Sequence, residues 1–241
     1  QQHGHQPKHD IRVMGVRAEE SCWFGTSYIG CRSALGTLPD GALDTATRAD
    51  NGRSLAEHMA ECGGDPDKLR DTAPYLDRAR IGAFLEPHIE QGPVLVEEGF
   101  PVGVVTGIRG NRRFPNAHCI GEYAHCGGAP RRVRQDAVVA ATEFVQAMDA
   151  EWDKAEASGD DFACTIGMFQ TDTERHAMTV ISGNVKFSLD FRSVDPAYLL
   201  KMEARVPAIA AEIGARRGVQ FELGAMTRAA PGFMDQGLVE T

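Results

Sequence analysis

No apolar run in this 241-residue chain approaches the length needed to span a bilayer, and no charged segment followed by an apolar one opens it as a secretion signal would. A membrane partner is therefore not expected. Positive charge is scarce: 25 Lys and Arg stand against 34 Asp and Glu, a formal net charge of −9. That balance argues against a nucleic-acid partner, whose phosphates need a basic surface. The one basic cluster, Arg131-Arg132-Val133-Arg134, is too short to reverse this and reads as a helix cap or solvated face. Cysteine pairs of the CxxC type are missing. Cys22, Cys31, Cys62, Cys119, Cys126 and Cys164 lie far apart, which excludes a zinc ribbon, and without a secretion signal no disulfide framework is expected. They read as reduced, mostly buried thiols of a cytoplasmic protein. The GxGxxG and P-loop spacings are also missing, so a nucleotide site is not expected. What remains, 42% apolar and 24% charged residues with few aromatics, is the composition of a soluble globular protein of one large or two small domains.

The stretch that organises the chain is 84–107, FLEPHIEQGPVLVEEGFPVGVVTG. It reads as an apolar strand, a polar cluster holding His88, Glu90 and Gln91, a Gly92-Pro93 turn, a short helix over 94–98, and a strand over 102–106. Strand ends of this kind are where α/β enzymes hold reactive groups rigidly at a cleft. By spacing alone, a histidine near a carboxylate is more often a structural pair. Residues 1–9 are polar and hold His3, His5 and His9; they read as a frayed terminus rather than a metal site. Residues 11–16 (IRVMGV) read as a strand running into Glu19-Glu20, neighbours that point to opposite sides of an extended chain. Helical spacing follows over 27–35, 55–62 and 66–71, with an acidic loop over 38–50.

Beyond Ile108 the character changes. Residues 109–115 read as a basic turn and 116–123 as a strand. The glycine-rich AHCGGAP loop at 124–130 holds His125. The segment 133–148 is the clearest amphipathic helix, with Val138, Ala141, Phe144, Val145 and Met148 on one side. Alternating strands over 161–169 and 184–192, a helix over 196–214 and a strand over 219–223 complete a β–α–β–β–α–β order. That is the split βαβ arrangement of a four-stranded antiparallel sheet with two helices on one face.

Four motifs in order carry a family resemblance. These are Glu19-Glu20 with Phe24-Gly25-Thr26-Ser27; HIEQGPVL through GVVTGI at 88–108; AHCGGAP followed by Arg134-Gln135-Asp136-Ala137; and Ile181-Ser182-Gly183 through Asp190-Phe191-Arg192-Ser193. Together they resemble the hydantoinase/carbamoylase branch of the metal-dependent aminoacylase and carboxypeptidase-like hydrolases. That branch holds N-carbamoyl-L-amino-acid hydrolases, allantoate amidohydrolases and β-ureidopropionases. The resemblance implies an α/β fold: an incomplete metallohydrolase catalytic domain over 1–108, an inserted ferredoxin-like α+β dimerisation domain over 109–225, and a return to the catalytic domain over 226–241. It implies hydrolysis of a linear amide C–N bond in a small N-carbamoyl or ureido substrate, in a homodimer, with two divalent ions, Zn or Mn. By the same resemblance Glu19 is the general base and Glu20 and His88 are metal ligands. Gln91 and Thr179 contact substrate, His125 reaches across the dimer to the developing oxyanion, and Arg192 grips the substrate carboxylate.

Departures qualify these expectations. The family's H-x-D ligand pair, bridging aspartate and C-terminal histidine find no counterpart, so the chain is expected to be truncated at both ends with an incomplete metal shell, and not to turn over alone. His3, His5, His9 and Asp10 are not at the matching place. Thr179 stands where the family usually has asparagine, and Ser21-Cys22-Trp23 replaces its G-x-R. A truncated, non-catalytic dimerisation module is the alternative reading. A peptidase or aminoacylase of the same superfamily is a third, disfavoured by the HIEQGP string.

Overall fold

The computed structural model describes residues 7–71 and 74–241; His3 and His5 lie outside the described residues. The chain divides into two compact units, Gln1–Gln91 and Gly92–Thr241.

The first unit is a small helical cluster. It contains α1 (Ile29–Leu35), α2 (Ala42–Thr45), α3 (Leu55–Glu61) and α4 (Pro66–Asp71), with a 3-10 turn at Arg78–Arg80. Ser54 starts α3 with a capping box: the Glu57 amide donates to Ser54 Oγ (3.2 Å) and the Ser54 amide donates to Glu57 Oε2 (2.8 Å). Ile29, Leu43 and Leu55 form a minor core, backed by Phe24, Leu38 and Met59. The acidic loop expected over 38–50 thus contains a helical turn, α2, whose Leu43 is part of that core.

The strand expected over 11–16 and the apolar strand expected to open the 84–107 stretch do not form. Both segments are largely exposed, with Val13 at 96%, Leu85 at 77% and Ile89 at 76%. An apolar run becomes a buried strand only when neighbours take up its N–H and C=O groups. Among the described residues of this unit the only ladder contact is the isolated Thr47–Ser54 bridge.

The second unit is organised by a sheet. It opens with α5 (Val94–Glu98), then β1 (Gly107–Ile108), β2 (Gly110–Ile120), β3 (Ala124–His125), α6 (Ala137–Ser158), β4 (Ala163–Thr165) and β5 (Phe169–Thr171). After these come β6 (Val180–Ile181), β7 (Asn184–Ser193), α7 (Pro196–Arg217), β8 (Gln220–Glu222), β9 (Thr227–Ala229), β10 (Gly232–Phe233) and α8 (Gln236–Val239). The main sheet runs β4-β7-β2-β8, with β5 also on β7 and β9 also on β2, and every pairing is antiparallel. The strand expected over 102–106 is displaced to β1, which pairs with β10, so the chain enters and leaves the sheet side by side.

Residues 109–115 are not a turn. Most of them belong to the long β2, and the register on β7 shifts between Phe114 and Ala117, around Pro115. Proline cannot donate to a ladder, and a bulge is where a strand tolerates it. The arginines that suggested a turn are ion-paired instead: Arg112 with Glu203 of α7, and Arg113 with Asp190 of β7.

Helices α6 and α7 cover one face. Asp136 caps α6 by accepting from the Val138 and Val139 amides, and Asp195 caps α7, where Pro196 occupies the first turn without losing a needed donor. Phe144, Met148, Phe187, Leu189, Phe191, Leu199, Met202 and Val206 are almost wholly buried between helices and sheet. The cysteines are free, but only Cys119 is fully buried; Cys22 and Cys62 are exposed and the other three half-buried, because most sit on loops or sheet margins. No helix among the described residues is long and apolar enough to cross a membrane.

Three carboxylates tie this unit together electrostatically. Hydrogen bonds from Arg228 and Arg112 hold Glu203 below the usual carboxylate range. Burial pushes Glu151 up, but Lys154 and Arg205 outweigh it; likewise Asp161 is held low against burial by Arg109 and the Val194 amide. A depressed folded-state pKa contributes stability above the unfolded carboxylate range, and this is lost as pH falls through the folded value. Thermal melts of wild type and Glu203→Gln between neutral pH and pH 3 should therefore converge as pH falls. A constant gap would remove Glu203 from the acid response.

Candidate functional site

In the first unit the backbone fixes the Glu19-Glu20 segment. The carbonyls of Glu19, Ala18 and Arg17 accept from the amides of Tyr28 (2.7 Å), Ile29 (3.0 Å) and Gly30 (3.1 Å). Donors at the start of α1 that would otherwise be orphaned are thus satisfied by the residues leading into the glutamates. The approach is close: a Cβ on Gly30 would lie 2.6 Å from the Arg17 carbonyl oxygen. Three non-glycine residues here have left-handed backbone, Ala18 (φ 52), Tyr28 (φ 59) and Gln91 (φ 58). Such conformations are retained where surrounding structure over-determines them, often at sites. Gly25 closes the turn over 21–25 by donating to the Ser21 carbonyl (3.0 Å).

Glu19 is half-buried and Glu20 exposed. Burial raises the Cys31 thiol, and the negative charges of Glu86 and Glu19 raise it further, which sets both carboxylates around Cys31. Glu86 was not singled out from the sequence; its place two residues before His88 was the available signal. His88 is exposed, and its Nδ1 lies against the Ile89 carbonyl oxygen. A carbonyl can only accept, so Nδ1 is the donor, and a neutral His88 keeps its lone pair on Nε2, the form a metal ligand requires. Among the described residues, however, no three His, Cys, Asp or Glu side chains converge as a metal-holding group. Glu20 and His88 are not enough for a closed shell.

In the second unit, β3 pairs with β6 so that His125 lies opposite Val180, and the Cys126 amide donates to the Thr179 carbonyl (2.9 Å). His125 and Thr179 are thereby neighbours. The Gly127 amide donates to His125 Nδ1 (3.2 Å), so a neutral His125 carries its proton on Nε2. Arg134 staples the loop, donating from Nε to the Ala129 carbonyl (2.7 Å) and from Nη2 to that of Cys126 (2.5 Å). An open cleft of about 670 Å³ lies beside it, lined by Cys126, Arg134, His176, Met178 and Ser182 among others. His176, held to Thr171 Oγ1 through Nδ1 (2.8 Å), is a cleft residue the sequence reading missed.

Arg192 is elsewhere. It sits near the far end of β7, with Nε and Nη2 on the two oxygens of Asp190 (3.1 and 2.9 Å). The ladder runs from Asn184, nearest β6, to Ser193, and eight residue steps from Asn184 to Arg192 span ~26 Å at ordinary strand rise. One copy of the chain therefore does not bring His125 and Arg192 to the same place.

No family model matches the chain. It is 33% identical over 230 residues to an N-carbamoyl-L-amino acid amidohydrolase of Geobacillus stearothermophilus, covering 95% of this chain and 54% of that protein. A hydantoinase/carbamoylase family amidase from Burkholderia phymatum superposes with a TM-score of 0.76 at 31% identity, over 92% of this chain and 52% of that one. AtUAH, solved in complex with (S)-hydroxyglycine, superposes with a TM-score of 0.66 at 26% identity, over 93% and 53%. These relatives are amidohydrolases, which hydrolyse C–N bonds. More narrowly, the chain is similar to members of the hydantoinase/carbamoylase family, and it spans about half the length of the relatives it matches.

Proposed function

We propose that the chain serves the hydrolysis of a linear amide C–N bond in a small N-carbamoyl or ureido compound that carries a carboxylate. The observation that carries this reading is the histidine on the glycine loop. Its Nδ1 is occupied by the Gly127 amide, so Nε2–H is the donor left for an oxyanion developing on the scissile carbonyl. Two comparisons support the substrate class: a relative named for N-carbamoyl amino acids, and a structural neighbour solved in complex with (S)-hydroxyglycine. Glu19 is assigned the role of general base, Gln91 and Thr179 contact substrate, and Arg192 anchors the carboxylate.

Glu20 and His88 are assigned as ligands of the Zn or Mn ions expected for this chemistry. The described residues alone do not fit such a group. Residues 1–108 and 226–241 are read as parts of a catalytic domain. Residues 109–225 are read as an inserted ferredoxin-like dimerisation domain, supported by the β-α-β-β-α-β order and by the side-by-side entry and exit at β1 and β10.

The ~26 Å between the His125 and Arg192 ends of β7 supports a homodimer reading. A substrate that meets both must take one from each copy. We expect His125→Ala and Arg192→Gln each to abolish hydrolysis of N-carbamoyl amino acids. Mixing the two should restore up to about a quarter of wild-type activity, through heterodimers that keep one intact site. No recovery, with heterodimers present by native mass spectrometry, would place the two residues in separate functions. An inactive wild type that also retains no Zn or Mn after desalting would favour the non-catalytic dimerisation module.

A further inference from the structure

Arg192 alone is a poor anion trap. Its Nε and Nη2 are both spent on Asp190, and such a bidentate pair is electrically neutral. Arg113 on the neighbouring strand changes the balance. Its Nε donates to Asp190 Oδ2 at 2.8 Å, because the β2–β7 register sets Arg113 directly opposite Asp190. Two guanidinium groups share one carboxylate, which leaves a net charge of +1. Both arginine side chains are about half exposed, at 46% and 47%, whereas that of Asp190 is at 23%.

The surroundings do not cancel that charge. Alternation along β7 buries Leu189 and Phe191 against the helices and turns Asp190 and Arg192 to the uncovered face. The residues across the ladders from this trio, Asn111, Ala163, Thr165 and Thr227, are uncharged. The nearby Asp161 is engaged by Arg109.

We propose that Arg113 is a specificity-determining residue, which with Arg192 forms a two-arginine clamp on Asp190 that selects substrates bearing a carboxylate. The inference rests on the reading of Arg192 as the carboxylate anchor. Asp190 fixes the two planes and takes up one charge, leaving Arg113 Nη1 and Nη2 and Arg192 Nη1 as donors for an incoming carboxylate. A merely structural Arg113 would hold β2 to β7 and be indifferent to the charge of a ligand.

The test is a titration of the protein with N-carbamoylglycine and, separately, with its uncharged amide. Binding is followed by calorimetry and by the Arg Nε–H signals in ¹H–¹⁵N NMR. The carboxylate should bind better than the amide and shift the Nε–H signals of both Arg113 and Arg192. Arg113→Gln should weaken carboxylate binding about tenfold and leave amide binding unchanged, with Arg113→Lys recovering part of the loss. If Arg192→Gln weakens carboxylate binding and Arg113→Gln does not, the clamp is overturned while the anchor stands. If neither variant discriminates carboxylate from amide, or the wild type binds neither probe, the anchor falls and the clamp with it.

Discussion

Phe187→Ala is expected to cost the second unit about 3–5 kcal/mol, the range for emptying a large aromatic site that cannot collapse. Phe187 is 1% exposed at the centre of β7. Its ring centroid lies 5.4 Å from that of Phe144 on α6 and 6.3 Å from that of Phe221 on β8; Phe144 and Phe221 lie 5.5 Å apart. The three rings join a helix, a central strand and a far strand of the sheet. Truncating one therefore loosens three elements, and none can move inward without losing contact with another. Urea denaturation monitored on the second unit should show the loss as a lower midpoint. Phe187→Leu, which keeps most of the volume, should lose a minor part of it. An alanine variant within 1 kcal/mol of wild type would mean that the site closes over the gap.

The second unit was legible because its signals are local and agree with one another. Aspartate caps, a proline in the first turn and long helical periodicity mark α6 and α7, while alternation marks β7. The order of these elements leaves few ways to cover one face of a sheet. The error at 109–115 has a physical source. Arginines at a strand position look like a solvated turn until the partners are known, and Glu203 and Asp190 lie 91 and 77 residues away in sequence. The first unit was less legible for the opposite reason. Its apolar runs, over 11–16 and ahead of the polar cluster that holds His88, resemble buried parallel strands, but strand identity belongs to a pair of segments and not to one.

The candidate site divides in the same way. Glu19, His88 and His125 stand out because their residue types and neighbours suggest chemistry. The tautomers of His88 and His125 are set by backbone groups, and no pattern of side chains announces those. Arg113 and His176 were missed because each acquires its place only through a cross-strand or loop contact. The separation of His125 and Arg192 within one copy was implied by the family resemblance, which sets His125 across a dimer, but no spacing in the sequence gives it. The ladder register puts the two toward opposite ends of β7.

Gly121→Ala is expected to destabilise the second unit by about 3 kcal/mol and to displace His125. Gly121 follows β2, where the chain crosses the segment leading into α6. Its amide donates to the Gly183 carbonyl (2.9 Å), and the next amide, Glu122, donates to the Gln135 carbonyl (2.9 Å). A Cβ built on Gly121 lies 2.0 Å from that Gln135 oxygen. The obstacle is backbone on both sides, so no side-chain rotation relieves it. Either the crossing opens, breaking the Glu122 bond and shifting the Asp136 cap of α6, or β3 slides and carries His125 away from Thr179. Both routes lower the melting temperature, and the second also moves the His125 ring signals in NMR. Gly159→Ala makes the comparison. No atom lies within 4 Å of a Cβ there, so its cost comes only from the positive φ of 75°, and His125 should not move. Equal losses in the two variants, with unshifted His125 signals in both, would show that the crossing at Gly121 yields without strain and does not position the histidine.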